Sequence, residues 1–358
     1  MLKSNGVCFA LALVTTVALG CGGGGETVGT GGSGGKEMST ASASVSSSAS
    51  STAASSSTGG LTCMSGEATV LAGTKLFFGE GNSGQWKKVG TNIDGLVSTA
   101  ASKDVCKPNA NAAVITPYPD GDMGIDNSFG KNLLPSIISL YPTWVTDINN
   151  GIKNGTFDVL LKMECLPPTG DVPEFTTKLF GGTKLGTVPK FDGTEKWPVA
   201  PELLGNPMDP DSSIIVFKKS SVTGTAYDSG KNETFILTVP VMSQSGSTSI
   251  KLTLYAAQTT MNLAADRKSA TGGMISGVLN TEEFVAEIKK VGYLLKLCDG
   301  PLFENLLTQV RQASDIMADG TQDPDKTCDG ISMGLGFEMK EVLLGEVGPM
   351  TPVGMSCP

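Results

Sequence analysis

The 358-residue sequence predicts a mainly β protein of the α+β class, with antiparallel sheets packed as a sandwich or as a two-lobed β domain and about three helices. Apolar and polar residues alternate in several runs, the period of a strand that buries one face. Glycine is plentiful, at 46 residues, and falls inside those runs as well as between them, which marks bulges or close sheet packing. Apolar stripes at helical spacing are fewer.

In chain order, Pro142 can open a helix with Val145, Ile148 and Ile152 on one stripe and Gly155 at its end. Phe157, Val159, Leu161, Met163 and Cys165 then alternate with Asp158, Lys162 and Glu164 as a half-buried strand. Phe235 to Val241 and Ile250 to Leu254 repeat that pattern. Asn280 and Glu283 make an N-terminal cap for a helix carrying Phe284, Ile288, Val291 and Leu295. Pro301 opens another, with Phe303, Leu306, Leu307, Val310 and Met317 on its buried side and Gly320 as its stop. Last, Ile331, Met333, Leu335, Phe337 and Met339 face one way, and Ser332, Gly334, Gly336, Glu338 and Lys340 the other. The polar and glycine faces favour antiparallel over buried parallel sheet. Thr91–Thr99 and Gly273–Thr281 read alike, so the body can be one domain of two related lobes; chance matching of glycine and β-branched residues is the rival.

Composition removes whole classes of chemistry. The chain has no histidine, so Ser-His-Asp and Cys-His catalysis, histidine-zinc sites and imidazole pH switches are impossible. A net charge of −9, with Arg267 and Arg311 the only arginines, argues against nucleic acid as a partner.

Residues 1–20 read as a signal peptide: Lys3 supplies the positive start and Val7–Leu19 the apolar stretch. That stretch is too short to span a bilayer, which takes about 20 apolar residues. Val17-Ala18-Leu19-Gly20-Cys21 resembles the lipobox of bacterial lipoproteins, with Ala18 where leucine is usual. The resemblance implies that Cys21 becomes the acylated N-terminus and that the partner is a membrane, held through the lipid. A plain signal peptide cut before a free cysteine is the alternative. Residues 22–60 contain 11 glycines and 12 serines with three charges, a composition with almost nothing to bury. As a flexible coil these 39 residues span roughly 35 Å root-mean-square. Residues 21–62 are therefore a lipidated cysteine and tether, and residues 63–358 the globular domain. Lipobox, Ser/Gly tether and Gly-rich acidic body together resemble the cell-envelope lipoproteins of myxobacteria, which implies an outer-membrane-anchored or cell-surface location.

Six cysteines remain in the body: Cys63, Cys106, Cys165, Cys298, Cys328 and Cys357. An even number in an exported chain reads as three disulfides. Cys298–Cys328 is the preferred pair, clamping the helix between them.

Four constellations bear on chemistry. Gly330-Ile-Ser332-Met-Gly334 spells the hydrolase elbow but lacks a histidine base and lies in an alternating strand, so the match is accidental. Ser128-Phe-Gly-Lys131 matches the S-x-x-K serine motif without the companion elements of the β-lactamases; the plainer reading is a helix start. Asp120, Asp122 and Asp126 lie among glycines, similar to calcium-binding Asp-Gly-Asp loops. A second acidic group, Asp315, Asp319, Asp323, Asp325 and Asp329, surrounds the end of the Pro301 helix, where a cation would offset repulsion by the helix dipole. Both groups are Ca²⁺ candidates, against ordinary Asp-rich turns. Finally, Asp192, Glu195 and Trp197 place carboxylates beside an aromatic ring, as sugar sites do, although a loop anchored by a buried Trp197 is the better reading.

The sequence thus points to an exported, lipid-anchored, disulfide-stabilised envelope protein. Its role is that of a non-enzymatic binding or structural module, whose ligand would be Ca²⁺, a glycan or another envelope protein. The alternative is a carboxylate-based glycan hydrolase using acids such as Asp192 and Glu195.

Overall fold

The structure, a computed structural model, describes residues 68–350 apart from 82–83, 110–115, 244–245, 295 and 299, together with 355–358. The expected signal peptide, Cys21, the tether and Cys63 lie outside the described residues. Leu61–Pro358 form one compact unit.

The elements run β1 (Thr69–Phe77), α1 (Leu134–Leu140), α2 (Trp144–Lys153), β2 (Asp158–Met163), β3 (Val172–Gly182), β4 (Lys196–Val199), β5 (Ile215–Thr223) and β6 (Ala226–Asp228). They continue with β7 (Glu233–Ser243), β8 (Gly246–Leu263), β9 (Ser269–Asn280), α3 (Thr281–Leu294), α4 (Pro301–Gln312) and β10 (Gly330–Val347). The mainly β, α+β class expected from the alternating runs is what forms.

All ten strands belong to one sheet. Its pairings return on themselves: β1–β2–β3–β5–β6–β8–β9–β10–β1 is a closed circuit of antiparallel neighbours. Closure leaves those strands without the open edges that invite aggregation. β7 adds to β8, and β4 runs parallel to the end of β10.

Two apolar cores lie on opposite sides of the β1–β2–β3–β10 wall. Leu71 of β1, Leu161 of β2, Leu179 of β3 and Met339 of β10 belong to the main core, with the Ile331, Met333, Leu335 and Phe337 stripe read from sequence. Val70 and Ala72, Leu160, Phe180 and Val342 belong to the second, closed by Trp197 and Val199 of β4. A register shift between Gly73 and Lys75 changes the parity of β1, so Leu76 points into the main core and Lys75 does not.

This arrangement alters the expected solvent face of β10. Ser332, Gly334 and Gly336 are buried: Asp315 and Ser128 cover Ser332, the chain around Val89 lies on Gly334, and Phe77 packs against Gly336. A Cβ on Gly334 would stand 2.1 Å from the Val89 carbonyl oxygen, so only glycine admits that contact.

The three expected helices are present as α2, α3 and α4. Asn280 Oδ1 accepts the Glu282 and Glu283 amides at 3.1 Å, the cap anticipated for α3. α4 is shorter than expected: it ends at Gln312, and Met317 lies beyond it in a loop. The chain turns there because Asp315 and Ile316 donate to the Gly330 carbonyl. A helical turn over Phe129–Leu133 runs directly into α1, beginning where the Ser128–Lys131 stretch was read as a helix start. The Thr91–Thr99 and Gly273–Thr281 resemblance has no structural counterpart, since the first is irregular loop and the second is β9 entering α3.

The disulfides join Cys106 to Cys328, with Cα atoms 5.2 Å apart, and Cys298 to Cys357, at 5.3 Å. Cys165 is disulfide-bonded as well. The expected Cys298–Cys328 pair is therefore wrong. Cys328 sits beside the bridge of Thr327 to Lys107, whereas Cys298 meets the returning C-terminus, whose Cys357 amide donates to the Lys289 carbonyl at 3.1 Å. Among the described residues no helix is long and apolar enough to cross a membrane.

Candidate functional site

Three segments meet above the start of β10: the loop around Asp94, the loop and helical turn from Pro117 to Leu133, and the Ala313–Asp329 loop. Ser98, Tyr118, Asp120, Asp315, Gln322 and the Cys106–Cys328 disulfide line a cavity of about 10 Å³ between them, room for about one water.

Gln322 ties the segments together. Its Nε2 donates to Asp94 Oδ2 at 2.8 Å, and its Oε1 accepts the Cys106 amide at 2.9 Å. Below it, Asp315 accepts both from the Ser332 amide, at 2.8 Å, and from Ser332 Oγ, at 2.6 Å. Ser332 Oγ in turn accepts the Ser128 amide at 2.8 Å. Ser128 Oγ donates to the Ala313 carbonyl at 2.6 Å and accepts from Asn132 Nδ2 at 2.7 Å. The two serine motifs of the sequence thus fall in one place, as buried couplers between segments. Lys131 sends its Nζ to the Pro119 carbonyl at 2.9 Å and lies over the Trp86 and Tyr118 rings, so it is engaged away from Ser128.

The electrostatics of this junction are unusual. Asp126 is 2% exposed and accepts the Ile93 amide at 2.6 Å. Burial, then the charges of Asp94 and Asp315, push its carboxyl up to about 9. Burial also raises Asp315 to about 7 against its Ser332 hydrogen bonds, and Asp120 to about 6 against its bond from the Ser98 amide. Burial lowers Lys131 from the ordinary lysine range, and the charges of Asp315 and Asp120 oppose that shift.

The acidic residues expected to bind Ca²⁺ are placed otherwise. Asp120 and Asp126 turn inward onto backbone amides, while Asp122 is exposed. Asp319 accepts the Thr321 amide at 3.0 Å, Asp323 the Asp325 amide at 3.0 Å, and Asp329 the Ala318 amide at 2.7 Å. Asp325 offers its backbone carbonyl to Lys107 Nζ at 3.2 Å. These are the side-chain-to-backbone bonds of Asp-rich turns. Since α4 ends at Gln312, no acid of this group crowds its last turn. Among the described residues no three acidic or cysteine side chains gather to hold a metal ion.

The Asp192–Trp197 stretch takes the anchored-loop form of its two readings. Trp197 is 0% exposed, donates Nε1 to the Thr183 carbonyl at 2.9 Å and stacks on Phe191 with ring centroids 5.9 Å apart. It presents no face to a sugar. Glu195 accepts the Phe191 amide at 2.8 Å and Asp192 the Thr194 amide at 3.0 Å, so both carboxylates shape their own loop.

Sequence reasoning grouped Asp120 with Asp126 but did not connect them to Asp315, Ser128 or Ser332. Asp94, Ser98 and Gln322 carried no signal at all, since a single polar residue in a loop reads as solvated. No protein-family model matches the chain, and no curated protein or solved structure matches it.

Proposed function

We propose that the chain is an exported, lipid-anchored protein of the bacterial cell envelope, a non-enzymatic binding or structural module carried on a flexible tether. The observation that carries this reading is covalent stapling. Cys106–Cys328 spans 222 residues of chain and Cys298–Cys357 spans 59, and disulfides persist in oxidising compartments outside the cytosol. The lipobox, Cys21 and the Ser/Gly tether supply the anchor. The candidate chemical groups support a scaffold role: Asp192 and Glu195, the carboxylates named for a glycan hydrolase, are spent on a turn.

The test is expression in a Gram-negative host with fractionation of wild type and Cys21→Ser. Wild type in the outer-membrane fraction and the variant in the soluble periplasm support the reading. Both forms in the cytosol contradict it. A glycan array and a thermal shift with Ca²⁺ against EGTA then identify the ligand class.

A further inference from the structure

We infer, on the lipid-anchor reading of Cys21, that the body stands on one end of its barrel. The β2–β3, β5–β6 and β8–β9 turns face the lipid headgroups of its membrane, and α2, α3, α4 and the loop junction at the start of β10 face away from them.

Strand register fixes the two ends. β1 enters the sheet at Thr69, opposite Met163, the last residue of β2. The β2–β3 turn follows directly, where the Glu164 amide donates to the Thr176 carbonyl at 2.9 Å. Around the circuit, Val172 of β3 pairs with Val222 of β5, and Thr223 with Ala226 of β6. Ala226 then pairs with Asn262 of β8, and Leu263 with Ala270 of β9. Thr69 and the three turns therefore share one end.

Those turns are braced into a single base. Arg267 of the β8–β9 turn is 5% exposed and donates from Nη2 to the Gly170 carbonyl of the β2–β3 turn. The Gly224 amide of the β5–β6 turn donates to Asp171 Oδ1 at 2.7 Å, and the Leu263 amide to the Thr225 carbonyl at 2.8 Å. The chain thus enters the body at a cross-linked surface, not at a loose strand.

The helices gather at the other end. Phe77, the last residue of β1, lies opposite Gly336, and Asn280 pairs with Gly330 where β9 gives way to α3. Asn149 of α2 accepts the Leu76 amide at 2.9 Å and donates to its carbonyl at 3.0 Å. α3 continues along the first half of β8, where Glu287 accepts the Lys251 amide at 2.9 Å. α4 leads into the loop that Asp315 fastens to Ser332.

Lengths decide which end meets the bilayer. The 18 residues of β8 measure about 55 Å from one end to the other. Residues 61–67, ahead of β1, reach at most about 25 Å, too short to carry the entry point from the base to the helical end. To turn the helical end onto the bilayer, the tether would have to extend along the whole body, past the roughly 35 Å expected of a coil of its length. The base is therefore the surface held near lipid, and the helical end is the surface offered to partners in the aqueous phase.

Energy transfer in vesicles tests this orientation. Full-length lipidated protein carries a donor dye on an azide-bearing side chain placed either at Thr225, exposed on the base, or at Asn305, exposed on α4, and the vesicles carry headgroup acceptors. Transfer from the Thr225 position is expected to exceed that from Asn305 about twofold or more, and Cys21→Ser to lose both signals. Equal transfer from the two positions, or more from Asn305, overturns the orientation alone so long as Cys21→Ser abolishes it. Wild type that transfers from neither position, like Cys21→Ser, overturns the anchor and the orientation together.

Discussion

Asp315 holds Ser332 by two hydrogen bonds, to its amide and to its hydroxyl, across a loop that has left α4 only three residues earlier. That pair converts the G-x-S-x-G stretch from an apparent nucleophile into a rivet. The serine binds Asp315 on one side and the Ser128 amide on the other, at 2.8 Å.

Ser332→Ala removes both side-chain bonds and leaves the buried Ser128 amide without a partner. The expected cost is about 1–3 kcal/mol of stability, read as a lowered urea midpoint with unchanged secondary structure. A midpoint equal to wild type would mean that the rivet is redundant.

The Cys106–Cys328 disulfide closes the cavity and restrains 222 residues of chain. Replacing both cysteines by alanine is expected to cost about 2–5 kcal/mol, through a denatured state with more freedom. Peptide mapping under non-reducing conditions should recover Cys106 linked to Cys328 and Cys298 linked to Cys357. A Cys298–Cys328 peptide would contradict the topology.

Asp158 gives the fold a pH dependence. It is buried on the β2–β3 wall, where its Oδ1 accepts the Gly73 amide at 2.9 Å and its Oδ2 has no partner. Burial raises its carboxyl well above the usual range, against the bonds from the Val159 and Gly73 amides. A raised folded-state value means stability present in acid and lost as pH climbs through that value. Asp158→Asn should match wild type near about pH 3.5, below the ordinary aspartate value, and exceed it increasingly as pH rises from there in urea titrations. Asp158→Ala should lose about 1–3 kcal/mol, since it strands the Gly73 amide.

The fold was legible wherever burial is one-sided. The Ile331–Met339 stripe and the Asn280 cap form as read, because side-chain period and capping act locally, whereas β2 forms but buries Asp158 on the face read as polar. What the sequence hid is two-sided burial. Leu160 and Val342 face a second core, and Gly334 lies under the Val89 backbone; neither leaves a periodic mark. The junction was hidden for a related reason. Asp126 and Asp94 look like turn residues in the chain, and only the convergence of three distant loops makes them neighbours. The preferred disulfide failed because pairing follows where the chain returns, not which cysteines flank a helix.

Cys21 decides the central claim. Intact-mass and N-terminal peptide analysis of the membrane-extracted protein should find a chain beginning at Cys21 and bearing a diacylglyceryl group, with residues 1–20 removed. A mature chain that keeps residues 1–20, or one that begins elsewhere with Cys21 unmodified, would contradict the account.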